Sequence, residues 1–186
     1  MRTKIPSVKK VWFTSDLHLG HNKPFVYAAR GFNSVDEMNE QIIENLRAVV
    51  GPYDDLYILG DLTLGSLLNA LPLLRRIPGR VHVIIGNHDT DNRIVAYKNL
   101  GWEVHFANVI KYGKYSFFLS HYPVDTSNAG EDKLTLATIN LYGHTHQKDA
   151  WNSNRPFAYH VGVDSHACKP ILLSDIIDEL HENINK

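Results

Sequence analysis

The clearest regularity in the hydrophobic pattern is a short apolar run that stops at a residue able to ligate a cation, and it recurs five times. Val11-Trp12-Phe13-Thr14-Ser15 leads into Asp16-Leu17-His18, and Leu56-Tyr57-Ile58-Leu59 into Gly60-Asp61. Val81-His82-Val83-Ile84-Ile85 leads into Gly86-Asn87-His88-Asp89. Ser116-Phe117-Phe118-Leu119-Ser120 leads into His121, and Ile139-Asn140-Leu141-Tyr142 into Gly143-His144-Thr145-His146. Each run has the length and the β-branched or aromatic content of a buried strand. Ligands of α/β sheets bind beyond the carboxyl ends of strands, so these runs deliver Asp, Asn and His side chains to one rim. The inventory is too large for one metal ion and suits two.

Between the runs the pattern turns helical. Ser34-Val35-Asp36-Glu37 reads as a capping box, and Val35, Met38, Ile42, Leu46 and Val49 follow at helical spacing, which predicts an amphipathic helix over 34–50 ended by Gly51-Pro52. A strand is expected over 55–59. Leu64 to Arg76 reads as helix that Pro72 should kink or divide. Pro78-Gly79 forms a turn, and 91–98 a short helix. From Trp102 to Ser120 short β runs around Lys111-Tyr112-Gly113-Lys114 suggest a hairpin. Residues 125–133 and 147–156 read as loops at the rim, 157–163 and 171–173 as strands. Ser174 is the expected cap of a last helix with Ile176, Ile177 and Leu180 inward. The order βαβαβ, then mainly β, then α predicts an α/β fold: a two-sheet sandwich with a mixed sheet, flanked by helices, in a single domain over 1–186.

Composition narrows the function classes. The 186 residues are 44% hydrophobic and 21% charged, with a net charge of −1, ordinary for a globular protein. That balance argues against a nucleic-acid-binding stripe. The single cysteine, Cys168, forbids an intramolecular disulfide and carries no mark of activation. The start of the chain is basic but lacks the apolar core of a secretory signal, and no run approaches the roughly 20 apolar residues of a membrane span. A cytoplasmic location and no membrane partner are expected. Oligomeric state is not legible. Eleven histidines are the unusual number, and several fall in the strand-end motifs.

Asp16 and His18 are two apart after a strand, and in extended backbone residues i and i+2 point the same way, so both reach one ion. His144 and His146 repeat the spacing. Gly60, Gly86 and Gly143 precede ligands, where a sharp exit from a strand needs positive φ or close backbone approach. Taken in order, D-x-H, G-D, G-N-H-D, H and G-H-x-H resemble the calcineurin-like metallophosphoesterase superfamily over about 11–146. The run Asp16-Leu17-His18-Leu19-Gly20-His21-Asn22, with His121-Tyr122-Pro123 and Val161-Gly162-Val163-Asp164, is similar to its small, capless bacterial and phage branch and extends the likeness over nearly the whole chain.

The resemblance implies a four-layer α/β/β/α sandwich with a dinuclear metal site at strand C-terminal ends. Asp16, His18 and His146 would hold one metal, Asn87, His121 and His144 the other, and Asp61 would bridge them. Mixed His, carboxylate and amide donors suit two divalent transition metals, manganese foremost, with iron, zinc, nickel or cobalt as alternatives. Such a pair lowers the pKa of a shared water, and the resulting hydroxide attacks a phosphoester in line. His88 takes the role of the acid that stabilises or protonates the leaving group. His21 and Asn22 are candidate phosphate contacts. Asp164 is expected to support a ligating His. His160 reads as structural. Arg30, Arg155, Lys133 and Lys148 read as solvated loop residues.

Phosphoprotein-phosphatase relatives continue the second motif as G-D-x-x-D-R-G. Here Gly60-Asp61-Leu62-Thr63-Leu64-Gly65 lacks both the Asp that would orient the catalytic His and the phosphate-binding Arg. The partner of His88 is left open, with Asp89 a neighbour that could be structural. The departure tilts the expectation to phosphodiesters on a small, nucleotide-type substrate. Phosphomonoester or phosphoprotein hydrolysis, and a non-catalytic metal-stabilised interaction module, are the alternatives.

Overall fold

Alternation of apolar positions puts each central strand between two cores. The computed structural model describes residues 9–126, 134 and 137–184. Trp12 of β1 (Val11–Thr14), Leu56 and Ile58 of β2 (Asp55–Leu59), and Val81 and Val83 of β3 (Arg80–Ile84) face one apolar cluster, completed by Met38, Ile42, Ile43 and Leu46 of α2 (Val35–Val49), Leu74 of α3 (Leu67–Leu74) and Tyr97 of α4 (Asp91–Asn99). The residues between them, Phe13, Tyr57, Leu59 and Ile84, face a second cluster. It is shared with Phe117 and Leu119 of β6 (Tyr115–Leu119), Ile139 and Leu141 of β7 (Thr138–Tyr142), Tyr159 of β8 (Ala158–His160), and Ile176, Ile177 and Leu180 of α5 (Leu173–Ile184). The period of two in a strand produces this division.

Two mixed sheets result, flanked by helices. The first has the order β4-β3-β2-β1-β9, with β4 (Glu103–His105) parallel to β3 and β9 (Ile171–Leu172) antiparallel to β1. The second is β5-β6-β7-β8, with β5 (Asn108–Tyr112) and β6 forming an antiparallel hairpin. β1, β2 and β3 run parallel, as do β6, β7 and β8. Each set therefore ends at one rim, and a bridge from Ser15 to Gly162 joins the two rims. Among the described residues no helix is long and apolar enough to cross a membrane.

Several expected elements shift. The hairpin region also supplies β4, which joins the first sheet. Pro72 lies within α3 without dividing it. The strand expected over 157–163 shortens to Ala158–His160; Val161 still bonds Tyr142 of β7, and Val163 crosses to Ser15 at the rim of the first sheet. Ser174 is not a cap: α5 starts at Leu173 and the Ser174 hydroxyl bonds Asp175. Ser34 does cap α2, accepting from the Glu37 amide at 3.1 Å. The expected loop 125–133, with Lys133, lies outside the described residues from 127 on. A short helix, α1 (Pro24–Tyr27), and a 3₁₀ turn over Ala28–Arg30 follow the Asp16–Asn22 run. Proline at its first turn and Gly31 after its end, at φ 86°, are the signals that mark it.

Two buried carboxylates staple the rim. Asp89 accepts from the amides of Asp61 and Gly86, both at 2.9 Å, and from the Tyr97 hydroxyl at 2.9 Å. It thereby locks the loop after β2 to the loop after β3. Asp164, after β8, accepts from Arg30 Nε at 3.0 Å and Nη2 at 2.9 Å. The same guanidinium donates to the carbonyls of Asp16 (2.8 Å) and Leu17 (3.1 Å), so Arg30 is a buried clamp and not a solvated loop residue. Its planar fork fits several acceptors at once, which a lysine does not.

Replacing Asp89 with Ala strands two buried amides and should cost about 3 kcal/mol in urea unfolding, against about 1 kcal/mol for Tyr97→Phe. Arg30→Met leaves the Asp164 carboxylate with His146 as its remaining close partner and should cost about 3 kcal/mol in the metal-free protein. Adding Asp164→Leu should recover part of that loss.

Candidate metal centre

Backbone conformation, more than strand alternation, aims the rim side chains. Asp16 (φ 57°), His18 (φ 50°), Asp61 (φ 55°), His144 (φ 69°) and His146 (φ 50°) all occupy the left-handed region. Residues with a Cβ rarely adopt it, at a cost of order 1–3 kcal/mol each, and such strain gathers at functional sites. The extended i, i+2 geometry expected for Asp16 and His18 is therefore absent. Their side chains meet because the chain turns at both positions. Close approach also requires glycine here. A Cβ on Gly60, itself at φ 90°, would run into His121 Nδ1 and lie 2.7 Å from Gly86 Cα. A Cβ on Gly143 would collide with the side chains of Ser15 and Asp16.

Two overlapping groups of ligand atoms form. Asp16, His18 and His146 make one; Asp16, Asp61 and His121 make the other, with ligand atoms within 4.8 Å of one another in each. Asp61 is central. Its Oδ1 accepts the His88 amide at 2.8 Å. Its Oδ2 lies 3.5 Å from His121 Nε2, 3.8 Å from His18 Nε2 and 3.9 Å from His88 Nε2. Asn87 Oδ1 is 3.0 Å from His121 Nε2. The His144 ring stands 5.0 Å from that of His121 but outside both groups, with Tyr122 beside it at 4.5 Å.

The outer bonds leave lone pairs pointing inward. His121 Nδ1 lies 2.8 Å from the Leu59 carbonyl, to which only a protonated nitrogen can donate, so Nε2 is left as an acceptor. His146 Nδ1 lies 2.7 Å from Asp164 Oδ2 in the same way, as the expected support role of Asp164 requires. His18 Nε2 is buried with no hydrogen-bond partner. Unpaired acceptors facing carboxylate oxygens in a buried site are costly unless a cation lies between them. The donor set thus fits divalent metal ions.

Electrostatics follow the same geometry. Burial pushes the Asp16 carboxyl up, against the lowering effect of the Ser15 hydroxyl at 2.5 Å; the His144 amide also binds it, at 3.0 and 3.1 Å from its two oxygens. Burial lowers His18 to about 2 and also lowers His144. The hydrogen bond that His146 donates to Asp164 raises the imidazole. Burial would raise Asp164, but its bonds to His146 and Arg30 outweigh it and hold the carboxyl well below the usual range. His18 and His144 thus have their charged forms disfavoured, which leaves their ring nitrogens free to ligate.

His88 lines a cleft of about 550 Å³ with His18, His21 and His146. Its ring carries no hydrogen bond among the described residues, and Asp89 faces away into the staple between the loops. Leu64 lines the same cleft where an orienting Asp was sought. Of the two candidate phosphate contacts, His21 is in this cleft, 3.3 Å from His18 between Nδ1 atoms. Asn22 lines a separate groove with Asp36 and Asn39. His166 bonds the His160 carbonyl, and His160 is buried in the fold.

The comparisons with known proteins agree with this geometry. Residues 9–182 match the family model for calcineurin-like phosphoesterases. The chain is 31% identical to the Gene 66 protein of Mycobacterium phage D29, covering 96% of this chain and 97% of the relative. It is also 31% identical to an uncharacterized protein of Methanocaldococcus jannaschii, covering 95% and 93%. A protein of unknown function from Aquifex aeolicus has the same fold, with a TM-score of 0.71 at 24% identity over 93% of this chain and 100% of that one. A solved structure described as a novel archaeal phosphodiesterase aligns with a TM-score of 0.51 at 15% identity, over 82% and 83%. With its motif order, strand-end geometry and match over 9–182, the chain belongs to the calcineurin-like phosphoesterase family.

Proposed function

We propose that the protein is a dinuclear-metal phosphoesterase that hydrolyses phosphodiesters. The observation that carries this reading is the convergence of acceptor atoms on Asp61 Oδ2, with three imidazole nitrogens within 3.9 Å. Asp16, His18 and His146 would hold one divalent ion, Asn87, His121 and His144 the other, with Asp61 between. Bound there, the ions supply Lewis-acid polarisation of phosphoryl oxygens and an acidified water.

The chain's own residues do the rest. Asp164 and Leu59 fix the tautomers of His146 and His121. Arg30 holds the strained turn at Asp16 in place. His88, half-buried at the cleft and free of ring hydrogen bonds among the described residues, is placed to give a proton to the departing alkoxide. The supply of cations favours a diester. Arg30 is engaged by Asp164 and two carbonyls, and Arg93 donates to the carbonyls of His88 and Gly65. Among the described residues only Lys148 brings a side-chain cation to the cleft beyond these. A monoester dianion has a further terminal oxygen to neutralise, whereas a diester monoanion does not. The fold shared with an archaeal phosphodiesterase is consistent with this choice.

With Mn²⁺ added, the purified protein should hydrolyse bis-p-nitrophenyl phosphate faster than p-nitrophenyl phosphate. On a dinucleotide, whose leaving group is an alkoxide, His88→Ala should lower kcat by about 10²–10⁴ with metal content unchanged, whereas Asp61→Ala should lose bound metal and activity together. Metal-loaded protein that turns over neither ester would overturn the hydrolase reading in favour of a non-catalytic module.

A further inference from the structure

The cleft has an apolar part of its lining that phosphoryl chemistry does not use. Besides His18, His88 and His146, it is lined by Phe25, Val26 and Leu64. Phe25 is 73% exposed although it borders this cleft. Among the described residues its one ring contact is with His21, edge to face at 5.8 Å between centroids. Other strongly exposed apolar residues, such as Tyr53 and Phe106, lie away from the cleft.

The segment that presents Phe25 is held on both sides. Val26 and Tyr27 pack against the first apolar cluster, and Arg30 is clamped to Asp164 and the Asp16 carbonyl. The backbone that carries Phe25 is thus held beside the cleft by neighbours that are themselves fixed. The acid in this cleft, Asp164, is already bound by Arg30 and His146. Lys148, with its side chain 66% exposed, adds a cation at the edge. An exposed aromatic face in a cleft that also holds imidazole nitrogens and a cation suits a planar ring with polar edges better than an alkyl chain.

Resting on the phosphodiesterase reading, we propose that Phe25 forms a nucleoside subsite of this cleft, in which it stacks on the base of a phosphodiester whose phosphoryl group lies at the histidines. The substrate class it selects is a nucleotide diester, in preference to a diester with alkyl arms.

Thymidine 5′-p-nitrophenyl phosphate and methyl p-nitrophenyl phosphate share a leaving group and differ in the arm that carries the base. The Mn²⁺-loaded protein should prefer the thymidine ester by roughly tenfold in kcat/KM, the size expected for one stacked base. Phe25→Ala should bring that ratio near one, chiefly through KM. Phe25→Trp should retain it, and Tyr53→Ala, a distant control, should leave it at the wild-type value. Calorimetric titration with thymidine 5′-monophosphate and with inorganic phosphate reads the same preference without turnover. A wild-type preference absent in both assays, or Phe25→Ala weakening both esters equally, overturns the subsite. If neither ester is hydrolysed but the calorimetric preference persists and depends on Phe25, the hydrolase reading fails and the subsite stands.

Discussion

The arrangement depends on one electrostatic constraint: acceptor atoms are packed together where water cannot separate them. Asp16, His18, Asp61 and His121 are all buried at the rim, and the bonds on their outer sides leave lone pairs directed at one another. Such a cluster is self-repelling without a cation, so the surrounding protein must hold it by force of structure. The Asp89 and Asp164 staples, the Arg30 fork and the close-packed glycines meet that need. Each joins two loops that would otherwise be free to relax apart.

The same need explains the concentration of left-handed residues. Five proposed ligands take positive φ, each at a cost of order 1–3 kcal/mol. That strain is tolerable because the strands feeding the loops are anchored in two apolar clusters that share the first sheet. Parallel β1, β2 and β3 end on one side of the rim and parallel β6, β7 and β8 on the other. Ser15 and Gly162 cross-link them. The strain is local, and the stabilisation comes from the sheets.

Much of this was legible in the chain. The strands under β1, β2, β3 and β7 were visible as apolar runs, and α2 as a capped amphipathic pattern, because both signals are local. The rim residues were visible because each ends such a run. What escaped was non-local. Arg30 looks like any loop arginine until Asp164, 134 positions away in sequence, is folded beside it. The left-handed turns at Asp16 and His18 leave no mark on residue type, since Asp and His are also common in ordinary loops. Ser174 had the right residue type for a cap, but β9 passes directly into α5 and leaves it no capping position. Asn22 was grouped with His21 by adjacency, yet the turn there directs the two into different grooves.

The central claim is that the rim is built around two neighbouring cations with Asp61 between them. Anomalous diffraction from crystals soaked in Mn²⁺ tests it most directly. The account predicts two ions about 3.5–4 Å apart, both in contact with Asp61, one bound by Asp16, His18 and His146 and the other by Asn87, His121 and His144. A single ion at saturating metal, or ions that leave Asp61 uncoordinated, would contradict it.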